Sequence, residues 1–160
     1  MENQGYQFDA ADASLSLLIK KITGEFREPF TLEYFHVTNA KTKDSPPLSR
    51  ATVKISVGGD EELTVAEGNG PVNALDHALR KALVKFYPQI DKMHLVDFKV
   101  RTIEGAEGTA AKVRVLIDSR DDKEIWSTIG VSTNIIEASW HALVDSIQYK
   151  LSKDTLNKNG

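Results

Sequence analysis

The chain contains no cysteine. That excludes a disulfide framework, a thiolate metal site and a thiol nucleophile. No apolar run approaches the length of a membrane span, and the N-terminus lacks the basic-then-apolar order of a signal peptide. Positive charge is not in excess: the net charge is −3 and the pI is near 5.8. This balance argues against a general affinity for nucleic acid or for an anionic membrane. The four histidines are scattered, and none stands at metal-ligand spacing from another. No local sequence pairs a nucleophile with a base or brings two carboxylates into catalytic reach. The expectation is a cytoplasmic chain that binds rather than makes bonds, with no cofactor and no metal of its own.

What is present is ordinary for one soluble domain. There are 160 residues, 41% hydrophobic and 27% charged, enough to bury a real core. After a polar start, Asp9-Ala10-Ala11-Asp12 reads as a helix start. Leu15, Leu18, Ile19 and Ile22 then recur at helical spacing until Gly24, predicting a helix over 11–22 with one apolar face. Pro29 forbids its continuation.

From Phe30 the pattern becomes strands. Leu32 to Thr38 is rich in β-formers, and residues 39–50 read as a loop. Val53, Ile55 and Val57 alternate with polar residues, Gly58-Gly59-Asp60 makes a hairpin turn, and Leu63 and Val65 lead a third strand. That strand runs into Glu67-Gly68-Asn69-Gly70-Pro71-Val72-Asn73-Ala74, and Val72, Leu75, Leu79, Ala82 and Leu83 mark a following amphipathic helix.

The same order then recurs. Leu95-Val96-Asp97-Phe98-Lys99-Val100 mirrors Leu32 to Val37, and Ala111 to Ile117 mirrors Ala51 to Val57. Ser127-Thr128-Ile129 mirrors Leu63-Thr64-Val65, and Ala138 to Leu143 mirrors Ala74 to Leu79. The predicted fold is therefore α+β: two pseudo-symmetric βββα repeats, at about 30–88 and 92–151, preceded by a helix. Asn134-Ile135-Ile136-Glu137 has capping-box spacing, with Asn134 where Gly70 stands in the first repeat. Residues 152–160 read as a polar, disordered tail, and Asp121-Asp122 as a solvated hairpin turn. Trp140 reads as core or interface, and His77 and His141, at matching places, as rim or packing histidines.

The glycine segment looks built for close backbone approach. Pro71 suits the first helical position, where its missing N–H costs nothing. Gly68 and Gly70 allow positive φ and place no Cβ in the way. Free N–H groups of the first turn favour a carboxylate. A glycine-rich helix start with no ligand satisfies the same residues. Residues 11–85 also satisfy, coarsely, the helix-βββ-helix order of a double-stranded RNA-binding domain. The basic patch such a domain needs at its second helix is absent, and the second repeat goes unexplained.

Four segments carry a family resemblance: residues 68–74, Leu95 to Phe98, Gly108 to Val113, and Gly130 to Ser139. They resemble the C-terminal regulatory domain of 2-isopropylmalate and citramalate synthases over about residues 30–151. Gly5 to Ser14 with Leu17 and Leu18 resembles the linker helix preceding that domain. The runs Ala138 to Ser146 and Lys85 to Pro88 resemble the citramalate branch more. The resemblance implies residues 1–28 as linker and 29–160 as an allosteric, dimer-forming domain that binds a branched-chain amino acid as feedback inhibitor, isoleucine favoured by the citramalate branch and leucine the alternative. It implies a parent enzyme joining acetyl-CoA to a 2-oxo acid in a metal-dependent barrel. That barrel's His-x-His motif has no counterpart here, and Met1 before a mid-protein linker suggests an expressed fragment or a naturally separate regulatory protein. Homodimerisation and contact with the catalytic domain are the implied partnerships, with no nucleic acid and no membrane.

Carried over by motif, Gly68, Gly70, Val72 and Asn73 would line one side of an effector pocket, with backbone N–H groups on the carboxylate. Leu95, Phe98 and Thr102 would wall the side chain with Val113, and Val131, Thr133 and Ile135 would close it. Relatives often carry Tyr at the Phe98 position, so one hydroxyl contact is missing. Asp76, Asp97 or loop carbonyls would accept the ammonium; the plainer reading of both aspartates is a surface carboxylate.

Overall fold

A computed structural model describes residues 12–40, 43–44, 48–103 and 111–159, with only the backbone of residues 40 and 155–159. The described chain runs α1 (Asp12–Thr23), β1 (Thr31–Ala40), β2 (Leu48–Val57), β3 (Asp60–Gly68), α2 (Pro71–Leu83), a 3₁₀ turn (Pro88–Lys92), β4 (His94–Ile103), β5 (Lys112–Arg120), β6 (Ile125–Ser132) and α3 (Ile135–Asn159). The strands form two antiparallel sheets, ordered β1-β2-β3 and β4-β5-β6. The doubled βββα order is present as the repeat predicted. By contacts the chain divides into two compact units: Glu28–Asp91, and the described residues up to Arg27 together with those from Lys92 onward.

In the unit of residues 28–91, β2 alternates strictly. Ala51, Val53 and Ile55 are fully buried, while Thr52, Lys54 and Ser56 face outward. Helix α2 covers the inner face with Val72, Leu75, Ala78, Leu79, Ala82 and Leu83. Gly58 and Gly59 close the β2–β3 hairpin at φ 57° and 93°, the left-handed pair that a two-residue turn requires. Strands β1 and β2 are longer than their sequence patterns: pairing runs on to Ala40↔Leu48, so part of the expected 39–50 loop is ladder. Turn-forming residues do not prevent pairing where a neighbouring strand supplies the hydrogen bonds.

The other unit repeats this plan. Val115 and Ile117 of β5 and Thr128 of β6 are buried beneath α3, which contributes Ala138, Ala142, Leu143, Ile147 and Leu151. Trp140 is buried, as expected of a core residue. One contact is reproduced in both repeats. Buried Thr64 donates its hydroxyl to the Ala78 carbonyl at 2.7 Å, and buried Thr128 donates to the Ala142 carbonyl at 2.8 Å.

Helix α1 belongs with this second repeat, packing on α3 and β6. Its contact face differs from the aliphatic stripe. Ala13 and Leu17 are buried, whereas Leu18, Ile19 and Ile22 are exposed by 46%, 52% and 76%. The reason is polar. The Ile129 N–H of edge strand β6 donates to Ser14 Oγ at 3.0 Å, and Ser14 Oγ donates in turn to Asp145 Oδ2 at 3.3 Å. Satisfying an unpaired edge N–H selects the Ala13–Ser14–Leu17 side of the helix. Burial pushes the Asp145 carboxyl above its ordinary range, with Lys21, Ser14 and His141 partly opposing. This packing also removes the helix-βββ-helix grouping of the RNA-binding alternative.

Two expectations at the C-terminal end are corrected. Residues 152–159 continue α3 rather than forming a disordered tail. Asp121 is not a solvated turn: its side chain is wholly shielded and bonded by Lys150 Nζ and Lys153 Nζ, each at 2.7 Å. Lys153 also lies 4.4 Å over the Trp126 ring and 3.0 Å from Glu124, whose carboxylate accepts the Tyr149 hydroxyl. The hairpin tip is thus clasped to α3, which lends that helix an anchor beyond its apolar stripe. Burial alone would raise the Asp121 pKa, but the two lysines and the N–H groups of Lys123 and Glu124 outweigh it and hold the carboxyl well below the usual range. Burial and Glu124 push the Tyr149 hydroxyl up to about 12.

A depressed folded-state pKa stabilises above the unfolded value and loses that contribution as pH falls. Trp-monitored urea unfolding should therefore weaken progressively below about pH 4, and Asp121→Asn should flatten that decline. At neutral pH, Asp121→Ala removes the carboxylate that two lysines share, leaving Lys150 with Asp154 and Lys153 with Glu124, and should cost about 1–3 kcal/mol. A methyl placed on Gly130 would fall inside contact distance of the Ala138 carbonyl oxygen and 3.0 Å from the Ala142 nitrogen. Gly130→Ala should accordingly cost about 3 kcal/mol in the same assay.

Candidate functional site

The two helix starts that follow a third strand are equivalent in sequence but not in chemistry. At α3, the Asn134 side chain accepts the N–H groups of Ile136 at 2.7 Å and Glu137 at 3.2 Å. Glu137 adds a carboxylate in the first turn. This helix start is satisfied from within the chain. At α2, Gly70 occupies the cap position with no side-chain cap, Pro71 follows, and the first turn holds no acidic residue. The positive end of the α2 dipole therefore has no side-chain counter-charge from its first turn.

The two glycines differ from the expectation that they supply positive φ. Neither does: Gly70 is extended at φ −175°, ψ 169°, and positive φ is confined to Gly24, Gly58 and Gly59 among the described residues. Their use is spatial. A Cβ on Gly68 would lie 2.6 Å from the Ala74 nitrogen and 2.9 Å from the Asn73 carbonyl carbon, so Gly68 lets β3 end against the helix it leads into. A Cβ on Gly70 would meet nothing within 4 Å, so the space before the helix is open. Asn73 reaches back to the Asn69 side chain and fixes the loop across the first turn.

The remaining candidates in this unit turn inward. Val72 is buried against the sheet. Asp76 is also buried, 3% exposed, and Arg80 donates to it at 2.8 Å one turn on. The surface-carboxylate reading of Asp76 is thereby corrected; the i, i+4 spacing with Arg80 was the available signal. His77 is exposed, its Nδ1 2.9 Å from the Glu67 carbonyl oxygen. A carbonyl can only accept, so Nδ1 carries the proton. Along the far part of α2, a cavity of about 230 Å³ is lined by His77, Arg80, Lys81, Val84, Ile90 and Asp91. None of the expected pocket residues lines it.

In the other unit, Leu95, Phe98 and Thr102 pair with Ser119, Ile117 and Val113. A bulge between Leu95 and Asp97 places Leu95 and Phe98 on one face despite their odd separation. That face includes Val113 and lies to the side of β5 covered by α3, but no comparable packing of α3 reaches β4. Phe98 is 38% exposed in consequence. Val131 pairs with Arg114 and so belongs to the opposite face; Thr133 and Ile135 are exposed at the start of α3. Asp97 is exposed and accepts the Phe98 N–H at 2.8 Å. Among the described residues no group of His, Asp and Glu could hold a metal ion, and no helix is long and apolar enough to cross a membrane.

Comparison with known proteins adds lineage to this geometry. Residues 9–151 match the family described as the LeuA allosteric (dimerisation) domain. The chain is 53% identical over 154 residues to an (R)-citramalate synthase of Geobacter sulfurreducens and 56% identical over 155 residues to one of Aquifex aeolicus. Each alignment takes in 96% of this chain and 29% of the relative. A 2-isopropylmalate synthase of Pyrococcus abyssi is 31% identical over 129 residues, covering 80% of this chain and 24% of that enzyme. The chain thus spans under a third of the length of these relatives.

The unequal helix starts can be tested without any ligand. Asn134→Ala should lower stability by about 1 kcal/mol in urea unfolding. Gly70→Asp fits the extended backbone and open space, and should raise stability by about 0.5 kcal/mol by supplying the missing cap.

Proposed function

Because the chain belongs to the LeuA allosteric (dimerisation) domain family, we propose that it is the regulatory domain of a citramalate synthase, acting as a homodimer that binds a branched-chain amino acid as feedback inhibitor. The observation that carries this reading is the α2 start: an uncapped N-terminus with open space before it, beside a twin that is capped from within. An α-carboxylate there takes the place of the missing cap, gaining the first-turn N–H groups and the helix dipole. A small amino acid has too little apolar area for useful affinity unless its charged ends meet such prepared partners.

Isoleucine is favoured over leucine because the relatives at 53% and 56% identity are citramalate synthases, whereas the 2-isopropylmalate synthase stands at 31%. The physical margin is narrow, since one methyl position is worth only about 1–3 kcal/mol. Gly68, Gly70, Val72 and Asn73 form the carboxylate end. Asp76 is held by Arg80, so its part is to fix the first turns of α2, and a loop carbonyl receives the ammonium. The acetyl-CoA and divalent-metal chemistry belongs to a catalytic domain outside this chain, which by itself performs no synthase reaction. Inhibition follows if the amino acid binds one arrangement of regulatory and catalytic domains more tightly than another.

Calorimetry with isoleucine, leucine and valine is the deciding measurement. Isoleucine should bind tightest, and absence of heat with all three would end the proposal. Gly70→Val should leave cooperative unfolding intact and weaken isoleucine at least tenfold, by filling the open space before the helix; unchanged affinity would remove the loop from the site.

A further inference from the structure

Helix α1 sits on β6 and α3 through a seam with little apolar content. Ala13 and Leu17 are its buried residues, while its larger aliphatic stripe stays in solvent. The remaining contacts are polar. Ser14 Oγ accepts the Ile129 N–H and donates to Asp145, Lys20 Nζ donates to Ser152 Oγ at 2.7 Å, and Lys21 Nζ stands 3.9 Å from Asp145. Helical spacing puts Gln148 between Asp145 and Ser152 on the same side of α3. Gln148 is 5% exposed, and its side-chain Oε1 meets no hydrogen-bond donor among the described residues.

We propose that α1 is a reversibly docked strap, which lifts from β6 and α3 in a local opening while the β4-β5-β6 sheet and α3 stay folded. The docked seam buries an acceptor without a donor at Gln148, and it holds the Asp145 carboxylate where burial disfavours its charge. Lifting α1 returns both groups to water. The apolar burial given up is that of one leucine and one alanine, since Leu18, Ile19 and Ile22 are exposed in the docked state already. Against these gains stand the Ser14 bridge and the Lys20 bond, which keep the docked arrangement the ground state. Segments with few buried apolar contacts are the ones that open below the free energy of global unfolding. A two-state element of this kind is what a ligand can bias, by as much as its affinities for the two states differ.

The Ile129 amide reports the strap, because its hydrogen is held by Ser14 of α1. In amide hydrogen exchange followed by NMR, Ile129 should exchange roughly 100-fold faster than ladder amides of the central strand β5, such as Val115 and Ile117, and depend little on low urea. Asp121→Asn, at the far clasp of α3, should speed the β5 amides about tenfold and leave Ile129 unchanged. Two variants act on the seam itself while keeping Ser14. Gln148→Leu removes the orphaned acceptor and should slow Ile129 about tenfold, and Leu17→Ala should speed it at least about tenfold. If Ile129 in the unmodified chain exchanges at the rate and urea dependence of the β5 amides, α1 leaves only on global unfolding and the proposal is overturned. If Ile129 is fast but indifferent to both Gln148→Leu and Leu17→Ala, its hydrogen bond opens without the helix lifting, which overturns it equally.

Discussion

Each third strand must return so closely to the helix that follows it that backbone, not side chain, sets the distance. Gly68 ends β3 against the Asn73–Ala74 backbone, and Gly130 lets β6 lie against the Ala138 carbonyl. Thr64 and Thr128 then bridge strand to helix through matched hydroxyl–carbonyl bonds. A core this tight leaves room for alanine among the larger buried residues of both helices: Ala74, Ala78 and Ala82 in one, Ala138 and Ala142 in the other. In the first repeat that return also leaves the first turn of α2 facing open space at Gly70.

The doubled βββα order gives two equivalent helix starts, and the pair differs in its chemistry. Asn134 satisfies one of them locally, while Gly70 leaves its counterpart without a side-chain cap. A binding site needs groups whose best partner is absent from the chain, and capping is a cheap way to switch such a site off. The second repeat has instead invested in support, with Ser14 of α1 sealing an edge N–H of β6 and the Asp121 clasp holding the far end of α3. Side-chain capping and clasping are thus distributed unequally between repeats of common plan.

The doubled βββα order was legible because Ala51–Val57 and Ala111–Ile117 repeat both residue type and alternation, and the Asn134 cap because its side chain acts within three residues. Local chemistry is what a single chain displays. Misreadings arose where distant groups decided the outcome. The aliphatic stripe of α1 pointed to one face, but an unpaired N–H on β6 chose another. Asp121 reads as a turn residue until Lys150 and Lys153 arrive from α3. Leu95 and Phe98 do share a face, as expected from the sequence, but through a bulge that alternation alone does not reveal.

The glycine loop shows the division most clearly. Sequence by itself determined that a strand ends there, that Pro71 opens a helix, and that small residues are needed, since each follows from covalent geometry within a few positions. Only the tertiary structure decided why they are needed. Gly68 is required by the nearness of the Asn73–Ala74 backbone, while Gly70 faces empty space, and neither uses the positive φ that glycine permits. The physical reason is that steric demand at a point is set by whatever else is packed there, and packing joins residues that the order of the chain keeps apart.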